Sequence, residues 1–161
     1  MSSKGTVLIV EDERIPAEFL KAFLQREGYI VIAICDRGED AIRVAQEQRP
    51  DIIFMDIMLK SRMSGCDAAL QISKVVESKI IFLTAYYDQE MIDFAKEAGA
   101  INYLLKPYRD KQILAALEIA RQQDEIPSND SVCDIYKVPL ECGYIYDLEK
   151  NGSITMIRRS I

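Results

Sequence analysis

Between Thr6 and Gln123, five short apolar runs alternate with five stretches of helical periodicity, and this alternation limits the fold more than any other feature. The runs are Thr6-Val7-Leu8-Ile9-Val10, Tyr29 to Ile34, Ile52 to Met55, Lys79 to Leu83 and Ile101 to Leu105. The third, Ile52-Ile53-Phe54-Met55, is apolar without a break, the pattern of a strand buried on both faces. Strict alternation of strand and helix implies a parallel sheet covered on both sides, with right-handed crossovers. The expected fold class is therefore α/β, a doubly wound five-stranded parallel sheet.

The helical stretches have their own punctuation. From Arg14 to Glu27, Ile15, Phe19, Ala22 and Phe23 recur at helical spacing; Pro16 suits the first turn and Gly28 the stop. Asp40 to Gln48 reads as a helix through Ala41, Ile42, Val44 and Ala45, ended by Pro50-Asp51. After a loop from Leu59 to Gly65, a third helix runs through Ala68, Ala69, Ile72 and Val76. Gln89 to Ala98 is the fourth, stopped by Gly99, and Asp110 to Gln123 the fifth, with Ile113, Leu114, Leu117 and Ala120 inward. Phe19, Phe23, Leu70, Ile72 and Leu117 are expected in the core.

Composition narrows the function classes. The net charge of −6 over 161 residues gives no general grip on nucleic acid or an anionic membrane. No apolar run is long enough to span a bilayer, and Met1-Ser2-Ser3-Lys4 leads into a strand without a signal-peptide pattern. The expected location is cytoplasmic. Cys35, Cys66, Cys133 and Cys142 form no Cys-x-x-Cys pair, and histidine is absent. Zinc, a Ser-His-Asp triad and a Cys-His nucleophile are all disfavoured; reduced thiols are the plain reading.

What remains is a pattern of strand ends. Glu11 and Asp12 follow the first run, Asp56 the third, Thr84 the fourth and Lys106 the fifth. In open parallel sheets the ligand site lies beyond the carboxyl ends of the strands, which brings these residues to one place. Singly, each could cap a helix or face water; jointly they make a site. Three carboxylates repel one another unless a cation sits among them, and oxygen ligands alone suit Mg2+. The Lys106 ammonium and the Thr84 hydroxyl complete a set complementary to a transferring phosphoryl group. A carboxylate can itself be the nucleophile, and Asp56, ending a central strand, is best placed.

The motifs Leu8-Ile9-Val10-Glu11-Asp12-Glu13, Met55-Asp56-Ile57-Met58, Phe82-Leu83-Thr84-Ala85 and Tyr103-Leu104-Leu105-Lys106-Pro107 resemble the receiver domain of two-component response regulators. The resemblance covers about residues 5 to 123. It implies a flavodoxin-like strand order, 2-1-3-4-5, and phosphoacceptance at Asp56 from a sensor histidine kinase. It implies Mg2+ held by Glu11, Asp12, Asp56 and the Met58 backbone carbonyl. It further implies phosphoryl contacts from Thr84 and Lys106, a rotamer switch at Tyr103, and a cis bond before Pro107. Met58 and Tyr86 fall at the two positions flanking the phosphoryl group; both are bulky, which suggests that they hinder an attacking water. Ile101-Asn102 stands where winged-helix members often carry two acids, which argues against that subfamily's charged dimer face.

The expected organisation is a receiver at 1–123, a linker at 124–131 and a β-hairpin tail at 132–161. Ile135 to Leu140, Gly143 to Leu148 and Ser153 to Ile157 read as short strands, with Asn151-Gly152 as a hairpin signal. The tail is either the truncated start of a winged-helix output domain or an element for self-association, a homodimer included, or for docking. From residue 124 onward, four basic side chains stand against seven acidic ones, so direct nucleic-acid binding by this chain is not expected. The leading functional reading is a phosphorylatable switch controlling an output such as transcription. A stand-alone docking receiver and an aspartyl-nucleophile phosphatase are the alternatives. Met58 argues against the phosphatase, which wants an acid at that position. A nucleotide- or flavin-binding protein ranks last, since no Gly-rich phosphate loop follows the first strand.

Overall fold

The computed structural model describes residues 2–86, 89–122, 144–148 and 154–158, of which 91, 92, 95, 96 and the last two segments are described by backbone alone. In chain order the elements are β1 (Thr6–Val10), α1 (Arg14–Arg26), β2 (Ile30–Cys35), α2 (Gly38–Gln48), β3 (Ile52–Asp56) and α3 (Gly65–Ser73). β4 (Lys79–Thr84), α4 (Gln89–Glu97), β5 (Asn102–Leu105), α5 (Asp110–Gln122), β6 (Tyr144–Leu148) and β7 (Ile154–Arg158) follow. Strands β1 to β5 form one parallel sheet in the order β2-β1-β3-β4-β5, as expected from the alternation and the resemblance.

Two units divide the chain, Met1–Ala116 and Leu117–Ile161. In the first, side chains alternate across the sheet. Leu8, Val10, Ile53, Met55, Ile80 and Phe82 join Ala41, Val44 and Ala45 of α2 and Ala68, Ala69 and Ile72 of α3 in one core cluster. Val7, Ile9, Ile52, Phe54, Ile81 and Leu83 point the other way and are also buried. Each residue from Ile52 to Met55 is buried, so the unbroken apolar run does mark a doubly covered strand. In the second unit, β6 and β7 pair antiparallel, with Ile145 opposite Ile157 and Tyr146 opposite Met156. These strands fall on the stretches read from the sequence as Gly143 to Leu148 and Ser153 to Ile157, the second ending one residue later, at Arg158. The linker, the stretch from Ile135 to Leu140 and the Asn151-Gly152 turn lie outside the described residues.

Inward-facing assignments on α1, α5 and α3 need correction. Ile15 is 85% exposed and Phe19 54%, and Ala22 is exposed too. The buried stripe of α1 is Ala17, Leu20, Phe23 and Leu24. This helix carries apolar residues at two overlapping i, i+3, i+4 series, and the sheet takes the one rotated away from Ile15. On α5, Leu114 is exposed, while Ile113, Ala116, Leu117 and Ala120 are buried. Leu70 is half-buried at the edge of the core cluster.

Local chemistry fixes the loop after β3. Ser64 caps α3 by accepting the Asp67 N–H at 3.1 Å, and Asp67 accepts the Ser64 N–H in return, a capping box. α3 therefore starts at Gly65, not beyond it. A Cβ at Gly65 would sit 1.9 Å from the Asp56 carbonyl oxygen. Only a residue without a side chain lets the helix start this close to the end of β3. The Lys106-Pro107 bond is cis.

Candidate functional site

Parallel register brings the strand ends level. Val10 lies beside Met55, Asp56 beside Leu83, and Thr84 beside Leu105. The ladder runs on past the strands: the Glu11 N–H donates to the Cys35 carbonyl at 2.9 Å, and the Lys106 N–H to the Thr84 carbonyl at 2.7 Å. Glu11, Asp12, Asp56, Thr84 and Lys106 thus share the carboxyl-terminal edge.

The carboxylates of Glu11, Asp12 and Asp56 each offer an oxygen within 4.8 Å of the others. Glu11 and Asp56 are 2% and 5% exposed, so their charges have little water to stabilise them. Lys106 supplies the compensation: its Nζ is 2.6 Å from Glu11 Oε2 and 2.7 Å from Asp56 Oδ2. Burial raises the Glu11 pKa and the Asp56 charge adds to the rise, while the hydrogen bond from Lys106 and the Glu13 N–H oppose it. Burial pulls the Lys106 pKa down, but its bonds to Asp56 and Glu11 and their charges outweigh this and leave it raised. Lys106 is a fixed cation.

Three further carboxylate oxygens accept backbone N–H groups. Asp56 Oδ1 accepts the Met58 N–H at 2.9 Å, so both Asp56 oxygens are aimed by hydrogen bonds. Glu11 Oε1 accepts the Glu13 N–H at 3.1 Å. Asp12 Oδ2 accepts the Lys60 N–H at 3.2 Å, and the Lys60 ammonium lies 3.6 Å from that same oxygen. Three mutually close carboxylates balanced by two ammonium groups keep a net negative charge, a donor set suited to a hard divalent cation.

Thr84 is buried, and its hydroxyl is engaged locally. It donates to the Tyr86 carbonyl at 2.8 Å and accepts the Tyr86 N–H at 3.2 Å. Tyr103 is half-buried and packs against the core cluster. Met58 and Tyr86 are 58% and 68% exposed.

Sequence reasoning missed three contributors. Tyr108 feels the charges of Lys106, Glu11 and Asp56, and burial pushes its phenol up to about 12. An aromatic two residues past the lysine was the available signal. Lys60 pairs with an acid far away in the chain, which no local pattern shows. Gly65 reads locally as a loop residue, although its role is the close approach to Asp56.

The sheet order and the polar mouth define a receiver-type α/β fold. The chain belongs to the response regulator receiver domain family, which matches residues 7–118. It is 34% identical over 114 residues to the transcriptional regulatory protein PdtaR of Mycobacterium tuberculosis, an alignment covering 71% of this chain and 55% of that protein. The chain thus spans about half the length of that curated relative. Among solved structures it is similar to the signal receiver domain of a modulated diguanylate cyclase from Desulfovibrio desulfuricans. The identity is 36% and the TM-score 0.70, over 75% of this chain and 96% of that one. It is also similar to the N-terminal domain of a response regulator/sensory box/GGDEF protein from Carboxydothermus hydrogenoformans. There the identity is 30% and the TM-score 0.68, over 74% and 96% of the two chains. Among the described residues, no helix is long and apolar enough to cross a membrane.

Proposed function

We propose that this chain is a phosphorylatable switch in which Asp56 accepts a phosphoryl group from the phosphohistidine of a sensor histidine kinase. The observation that carries this is the state of Asp56: a buried carboxylate with both oxygens oriented, one by the Met58 N–H and one by Lys106. A carboxylate oxygen of Asp56 attacks phosphorus, the P–N bond to the kinase imidazole breaks, and the imidazole leaves with the electron pair. Lys106 then neutralises charge on the phosphoryl oxygens. We assign Glu11, Asp12, Asp56 and the Met58 carbonyl to Mg2+, which when bound would offset the negative charge gathered as donor and acceptor approach.

The switch follows from where Thr84 starts. Its hydroxyl bonds the Tyr86 backbone and must exchange that partner for a phosphoryl oxygen. The exchange gives up a bond worth about 0.5–1.5 kcal/mol for a stronger, charge-assisted one. Inward movement of Thr84 makes room for Tyr103 to turn further in. Met58 and Tyr86 flank the phosphoryl group and slow its hydrolysis. Ile15 and Phe19 leave an apolar stripe on α1, immediately after the acidic loop, which we assign to docking of the kinase. The output we assign is control of transcription in a longer, cytoplasmic protein, in line with the name of PdtaR.

Incubation with acetyl phosphate tests the reading. Intact mass should rise by one phosphoryl group with Mg2+, not with EDTA, and not in Asp56→Ala. The adduct should outlast seconds after the donor is removed. Equal phosphorylation of Asp56→Ala would refute the acceptor assignment, and loss within seconds would refute the role given to Met58 and Tyr86.

A further inference from the structure

The two cations at the acidic mouth are not equivalent. The Lys106 side chain is 22% exposed and is bonded to two buried carboxylates. The Lys60 side chain is 75% exposed, lies on the loop after β3, and meets only Asp12 among the described residues. Its backbone N–H and its ammonium converge on one oxygen, Asp12 Oδ2.

We propose that Lys60 is a tethered counter-ion that competes with the divalent cation for Asp12 and so sets the metal concentration at which the site fills. The inference rests on the reading of Glu11, Asp12 and Asp56 as a Mg2+ site. Charge counting gives the reason. Three carboxylates against Lys60 and Lys106 leave one net negative charge. A divalent ion added with both lysines in place would make the cluster net positive. Lys106 is locked, so Lys60 is the cation that swings into water, and its exposure makes this movement easy. The backbone N–H stays on Asp12 and keeps the carboxylate oriented while the ammonium leaves. Lys60 therefore opposes metal binding without deforming the site, and the same charge partly replaces the metal when the metal is scarce.

The test is a calorimetric Mg2+ titration of the intact chain and of Lys60→Gln and Lys60→Arg, at low and at high ionic strength. Lys60→Gln keeps the backbone N–H and removes the charge, so its Kd for Mg2+ should fall about two- to fivefold at low salt. Lys60→Arg should bind as the parent does. The gap between Lys60→Gln and the parent should close in about 0.5 M KCl, because screening weakens exposed charges. A purely structural role for Lys60 would show neither the salt dependence nor the rescue by arginine. Unchanged or weaker Mg2+ binding by Lys60→Gln, beside normal binding by the parent, would overturn the counter-ion proposal and leave the metal site standing. No binding heat from any of the three proteins would overturn the metal reading, and the proposal with it.

Discussion

Replacing Lys106 with methionine removes the ammonium and keeps most of the stem. In the intact chain this one group lies 2.6 Å from Glu11 and 2.7 Å from Asp56, two acids with almost no access to water. Removing one partner of a buried ion pair costs about 3–5 kcal/mol, because the surviving charge is left uncompensated. Lys106 is itself partly exposed, and a stranded carboxylate can take up a proton, so we expect a loss of about 2–4 kcal/mol at neutral pH without metal. Urea unfolding of Lys106→Met against the parent, in EDTA, measures this. The loss should shrink when Mg2+ is added, since the acids regain a counter-charge. It should also shrink on acidification. The hydrogen bond from Lys106 is what holds the Glu11 pKa down against burial; without it the folded pKa rises further above the unfolded value of 4.5. An acid with a raised folded pKa loses stability as pH climbs from the unfolded value through the folded one, so lowering pH toward 4.5 restores stability. A variant within about 0.5 kcal/mol of the parent at neutral pH without metal, or one whose deficit grows on acidification, would refute this account of the mouth.

Other outcomes follow from the same geometry. Gly65→Ala forces a Cβ to within 1.9 Å of the Asp56 carbonyl, so its melting temperature should fall by more than the usual overpacking cost of about 1–3 kcal/mol implies, with impaired phosphorylation of whatever folds. Asp12→Asn removes one of three crowded carboxylates; urea unfolding should show it more stable than the parent in EDTA, with most of the stabilisation by Mg2+ gone. Burial pushes the Cys35 and Cys66 thiols up to about 11, so peptide mapping after iodoacetamide treatment near pH 8 should find them unmodified when folded and alkylated in urea. Through these thiols stability should decline as pH rises from the ordinary cysteine value of 9.0 toward 11.

Much of this was legible in the sequence, for physical reasons. Period-2 and period-3.6 patterns are local, so strands β1 to β5 and helices α1 to α5 could be placed from neighbours alone. The strand-end rule for open parallel sheets then collected Glu11, Asp12, Asp56, Thr84 and Lys106 without coordinates. The face of α1 was not legible: Ile15-Phe19-Ala22 and Ala17-Leu20-Leu24 are both apolar series, and only the sheet decides which is covered. Lys60 was missed because its partner Asp12 is 48 positions away, and a lysine in a loop looks like any solvated charge. The state of Thr84 was also invisible, since a hydroxyl at a strand end can turn to its own backbone or to a ligand with equal ease.

Borohydride trapping tests the acceptor most directly. It reduces an aspartyl-phosphate to homoserine, which peptide mapping then locates. After treatment with acetyl phosphate and Mg2+, homoserine should appear at position 56 and at no other acid of the mouth. Homoserine at Asp12, or phosphorylated protein that yields no homoserine at position 56, would contradict the account.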